Sequence, residues 1–129
     1  MRTVLITDDS KTSQMLVKTT LSRLPGVDFL LADNGREALA VLEKRQVDLL
    51  ITDINMPEMD GIALVRAVRE SRDQKTLPIL IITAKGEEAA REEGLALGAN
   101  AYVLKPLSTR DLHDQATRLL GQAAPAAVP

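Results

Sequence analysis

At 129 residues, 45% hydrophobic and 26% charged, the chain has the size and composition of one globular domain with a proper core. A net charge of −2 offers no pull toward nucleic acid or anionic lipid, and the lack of cysteine removes disulfides, thiolate metal sites and cysteine nucleophiles. Phe29 and Tyr102 are the only aromatic residues, too little material for base stacking or a flavin platform.

The chain opens "MRTVLITDDS", whose apolar run is too short for a signal peptide or a membrane span, so a cytoplasmic protein is expected. Thr3 to Thr7 reads as a first strand, apolar throughout as in sheets covered on both faces. Ser10 can cap a first helix, with Leu16, Val17, Leu21 and Leu24 on one face, before Pro25-Gly26 stops it. Val27 to Ala32 carries Asp28 and reads as an edge strand. Asn34, with Glu37 three later, resembles a capping box for a helix turning Ala38, Val41 and Leu42 inward.

Asp48 to Thr52 is the third strand. Asp60 can cap the next helix, which faces Leu64, Val65 and Val68 inward, and Pro78 marks the approach to a fourth strand, Ile79 to Thr83. The segment "GEEAAREEGLALG" has only Ala90, Gly94 and Leu97 as inward candidates and a glycine in its interior, so it should be the least firmly packed helix. Ala101 to Leu104 is the fifth strand, and Ser108 with Asp111 opens a last helix whose inner face is Leu112, Ala116 and Leu119. Residues 1–121 form the expected domain, and 122–129, rich in Ala and Pro, read as a frayed tail.

Five strand-helix units with right-handed crossovers predict an α/β, flavodoxin-like doubly wound fold, (βα)5, with a parallel five-stranded sheet in order 2-1-3-4-5. In such sheets the site lies beyond the carboxyl ends of the strands. There the sequence puts Asp8 and Asp9, Asp53, Thr83 and Lys105. Singly, each has an ordinary reading as a cap, a turn residue, a β-former or a solvated lysine; together at one sheet edge they form a chemical constellation. Three carboxylates repel one another and call for a hard cation with oxygen ligands, which suits Mg²⁺. Such an ion with Lys105 and Thr83 can hold a phosphoryl group, and Asp53 is the candidate nucleophile. Pro57 and Gly61 read as devices that shape the following loop, and His113 as a solvated helix residue.

These residues, in "VLITDDS", "ADNGREAL", "VDLLITDINMPEMDG", "PILIITAKG" and "GANAYVLKPLS", resemble the response-regulator receiver domains, specifically the single-domain chemotaxis regulators, over residues 2–121. The resemblance implies that Asp53 accepts a phosphoryl group, in a Mg²⁺-dependent step, from a phosphohistidine of a histidine kinase or histidine phosphotransferase. It implies Asp8, Asp9, Asp53 and the backbone carbonyl of Asn55 as metal ligands, and Thr83 and Lys105 as contacts to the phosphoryl oxygens. Thr83 and Tyr102 would form the switch, and the fourth helix, fifth strand and fifth helix would form the face that binds a downstream protein.

On this reading the chain is a monomeric signalling switch that catalyses only its own phosphotransfer and autodephosphorylation. Its output is a separate protein, and the same features suit a phosphorelay intermediate or a phosphate sink. Leu107 departs from the usual Phe after Lys105-Pro106, and Lys85 replaces an acid found in the best-known chemotaxis member. Two rival classes share parts of the pattern. A haloacid-dehalogenase-like phosphatase needs an acid two past the nucleophile, where Asn55 stands. A flavodoxin-like electron carrier needs a phosphate cradle, where "DDSKTS" puts two anions.

Overall fold

A computed structural model describes residues 2–123. Five strands, β1 (Arg2–Thr7), β2 (Val27–Ala32), β3 (Leu49–Asp53), β4 (Ile79–Thr83) and β5 (Ala101–Leu104), alternate with five helices. These are α1 (Lys11–Leu21), α2 (Gly35–Lys44), α3 (Gly61–Glu70), α4 (Glu88–Leu97) and α5 (Thr109–Ala123). The sheet is parallel in the order β2-β1-β3-β4-β5, as the sequence predicts. No described helix is long and apolar enough to cross a membrane.

The central strands are buried on both sides because their residues alternate between two cores. Val4, Ile6, Leu49, Ile51, Leu80 and Ile82 face α1 and α5, where they meet Val17, Leu21, Leu112, Ala116 and Leu119. Leu5, Leu50, Ile79 and Ile81 face the other way, onto Ala38, Leu42, Leu64, Val65 and Val68 of α2 and α3. This alternation also assigns the strand ends. Asp8 and Asp53 continue the α1/α5 side of β1 and β3, as Lys105 does for β5, whereas Thr83 continues the opposite side of β4.

The predicted caps form as hydrogen bonds from backbone N–H groups to side-chain oxygens: Ser13 to Ser10, Glu37 to Asn34, Ala63 to Asp60 and Asp111 to Ser108. The Glu37 carboxylate reaches back to the N–H of Asp33, one residue before the cap.

Several boundaries or faces differ from expectation, and β1 begins one residue early, at Arg2. β3 starts at Leu49 and includes Asp53, because Asp53 still pairs with Ile82 across the ladder. α1 ends at Leu21 with Ser22 as its C-cap, so Pro25-Gly26 lies beyond a turn and does not itself stop the helix. Leu16 is turned outward, and the buried place on α1 goes to Gln14. Gln14 can be buried because its amide N–H groups are satisfied: Nε2 lies within hydrogen-bond distance of the carbonyls of Asp8 and Ala32 and of Asp33 Oδ1. Finally, α5 runs to Ala123, two residues past the expected domain limit, and the rest of the expected tail, 124–129, lies outside the described residues.

Gly94, which the sequence marks as a weak point of α4, is the buried residue of that helix. A Cβ there would lie 2.5 Å from Ile81 Cδ1 and 3.1 Å from Ile62 Cδ1, so the missing side chain lets α4 approach the sheet.

Candidate functional site

The acids meet at the carboxyl edge of the sheet. Carboxylate oxygens of Asp8, Asp9 and Asp53 all lie within 4.8 Å of one another. Asp8 directly follows β1, its N–H fixed to the Ala32 carbonyl, and its Oδ1 accepts from the Ser10 N–H at 2.9 Å. Asp53 ends β3. Its Oδ1 accepts from the Ile54 N–H at 2.9 Å and from Lys105 Nζ at 3.2 Å.

Gly61 allows this packing. A Cβ at that position would sit 2.1 Å from the Asp53 carbonyl oxygen, and the Gly61 N–H instead donates to the Ile54 carbonyl at 2.7 Å. The loop from β3 to α3 thereby folds back on the strand end, with Glu58 in the left-handed region at φ 65°.

Burial raises the carboxyls of both Asp8 and Asp53 above the usual carboxylate range. At Asp8 the Ser10 N–H opposes the rise, while the charge of Asp53 adds to it. At Asp53 the Lys105 ammonium opposes it, and Glu87 adds repulsion. Asp8 Oδ2 is buried without a hydrogen-bond partner. An orphaned carboxylate oxygen among three acids is the situation that a hard, oxygen-seeking cation relieves, so the donor set fits Mg²⁺.

Thr83 is fully buried at the end of β4. Its hydroxyl donates to Glu87 Oε1 at 3.2 Å, and the Ala84 N–H donates to the same oxygen at 2.6 Å. Asn55 is exposed, and its side-chain amide donates to Glu87 Oε2. Glu87 is thus the site residue that sequence reasoning missed. Its partner Asn55 is 32 residues away in the chain, and one glutamate in an acidic stretch gives no local sign of such a contact.

Tyr102 is 38% exposed, and the Arg91 guanidinium of α4 lies 4.7 Å from its ring centroid. Of the expected switch pair, the Thr83 hydroxyl is bonded to Glu87 and the Tyr102 ring lies against Arg91. Tyr102 and the exposed Leu104 lie on β5, beside α4.

Residues 4–117 match the response regulator receiver domain family. The chain belongs to that family. It is 40% identical to the chemotaxis protein CheY homolog of Campylobacter jejuni over 119 residues, 92% of each chain. It is equally identical to the chemotaxis protein CheY1 of Helicobacter pylori, covering 92% of this chain and 96% of that one. The solved structure of the chemotaxis response regulator CheY4 of Vibrio cholerae superposes with a TM-score of 0.83 at 37% identity, over 92% of this chain and 98% of that one. This is a receiver domain of the chemotaxis-regulator type, the class of signalling switch expected from its motifs.

Proposed function

We propose that this receiver domain is a phosphoryl-accepting switch with Asp53 as the acceptor. The observation that carries the reading is the Lys105 ammonium 3.2 Å from the buried Asp53 carboxylate, beside the acidic cluster. With Oδ1 engaged by Lys105 and the Ile54 N–H, Oδ2 is the oxygen left to bond to phosphorus. As that bond forms, the bond from phosphorus to the donor's imidazole nitrogen breaks, and its electron pair returns to the nitrogen.

Asp8, Asp9, Asp53 and the Asn55 carbonyl are the proposed holders of Mg²⁺, which when bound neutralises and orients the phosphoryl oxygens. Lys105 compensates the charge that remains, and Thr83 supplies a hydroxyl to a phosphoryl oxygen. The donor is a phosphohistidine on a kinase or phosphotransferase. The face made by α4, β5 and α5, with Tyr102 and Leu104 exposed, is the proposed contact for a separate target protein.

Acetyl phosphate with Mg²⁺ should label the wild-type protein once and leave Asp53→Asn unlabelled by intact-mass measurement. Labelling of that variant to the wild-type extent would remove Asp53 from the role.

A further inference from the structure

Glu87 is the N-cap of α4, yet its side chain makes no capping bond to the helix. Its carboxylate turns back over the end of β4 and gathers three donors: the Thr83 hydroxyl, the Ala84 N–H and the Asn55 amide. The strand below explains the consequence. Asp53 pairs with Ile82, so Thr83 and Ala84 are the next groups along β4 beside the acceptor. A phosphoryl group on Asp53 brings an anion that needs donors at that place, and two anions do not share one set of donors. Asn55 ties the other carboxylate oxygen to the loop leaving β3, so the Glu87 side chain bridges the strand ends next to the acceptor.

We propose that Glu87 is a positioning residue that closes the phosphoryl site at rest, holding the Thr83 and Ala84 donors until an incoming phosphoryl group displaces it. The proposal rests on Asp53 being the acceptor. Displacement has a mechanical outcome. Glu87 also provides the carbonyl that accepts from the Arg91 N–H in the first turn of α4, and Arg91 is the residue stacked on Tyr102. Release of the Glu87 side chain therefore frees the start of α4 and, one turn on, the contact that holds Tyr102 outward. The middle of the helix gives little resistance, since Gly94 is its one buried residue.

The test compares the full chain with Glu87→Ala, which removes the carboxylate, and Glu87→Gln, which keeps its size and an acceptor oxygen without the charge. With acetyl phosphate and Mg²⁺, Glu87→Ala should be labelled about tenfold faster than wild type, with Glu87→Gln between them, the scale of one lost charge-assisted hydrogen bond. In metal-free protein without phosphodonor, the Ala84 amide should exchange with solvent about tenfold faster in Glu87→Ala, because its acceptor is gone. A purely structural role predicts slower labelling in a loosened site, so slower labelling overturns the proposal. Labelling and Ala84 exchange both equal to wild type overturn it as well, while leaving Asp53 in place. If wild type and variants alike take no label, the acceptor reading fails first and the gate falls with it.

Discussion

The two helices that flank β5 are held in opposite ways. α5 is fixed along its length by apolar burial, with Leu112, Ala116 and Leu119 fully buried and a Ser108 cap at its start. α4 fully buries only Gly94, packs Ala90, Leu95 and Leu97 partly against the core, and is pinned at its ends by polar contacts. At its start is the Glu87 carboxylate on the end of β4. At its finish, Arg69 of α3 donates from Nε and Nη2 to the Gly98 carbonyl at 3.0 and 2.8 Å. Apolar burial has no substitute once lost, whereas a hydrogen bond can be exchanged for another at small net cost. A helix pinned by exchangeable contacts at its ends is therefore suited to change position while its neighbour stays fixed.

The largest test of this contrast is truncation of the two inner faces. Leu112→Ala in α5 should lower unfolding free energy by about 2–5 kcal/mol in urea titrations, the range for a fully buried leucine. Leu95→Ala in α4, half-buried against the core, should cost about 1 kcal/mol. Equal costs would erase the distinction. Next in size is the terminal pin. Arg69→Ala leaves the Gly98 carbonyl without its guanidinium partner and should cost about 1–3 kcal/mol, with amide exchange accelerated in α4 and unchanged in α5. Acceleration spread evenly over both helices would mean that the two move as one unit.

The smallest effect concerns the acid cluster and depends on pH. In metal-free protein the Asp8 carboxyl is raised by burial, so the folded state holds its proton more tightly than the unfolded chain. That stabilisation is complete below the ordinary carboxylate range and is lost as pH rises through the raised value. Asp8→Asn should therefore melt near the wild-type temperature at pH about 3 and above it at pH about 7, with added Mg²⁺ narrowing the gap at neutral pH. A gap that shrinks with rising pH would contradict the burial of a charged Asp8.

Features fixed by neighbours in the chain were legible in the sequence. Ser10, Asn34, Asp60 and Ser108 each bond to a backbone N–H three residues on, a contact that depends on little beyond the local turn. The convergence of Asp8, Asp9, Asp53 and Lys105 was legible for a different reason: parallel strands bring their carboxyl ends to one edge, whatever the helices do. Features set by distant partners were not. Leu16 looked like a core residue and Gln14 did not, because the acceptors that make Gln14 buriable come from the ends of β1 and β2. Gly94 looked like a defect in α4, since only the position of Ile81 reveals the space it vacates. Glu87 gave no signal because its carboxylate acts across a loop from Asn55.

Gln14 has one more consequence. Its single amide nitrogen ties the Asp8 carbonyl, the Ala32 carbonyl and the Asp33 carboxylate together, and Lys11 closes the same corner on Asp33 at 2.7 Å. The acids beside α1 thus sit in a braced jaw, while Glu87, at the start of the helix that can shift, lies across Thr83 and Ala84 at the end of β4. A clamp built this way can be retuned from either side separately. Changes around Gln14 alter how the acids grip an ion, and changes along α4 alter how far the clamp opens.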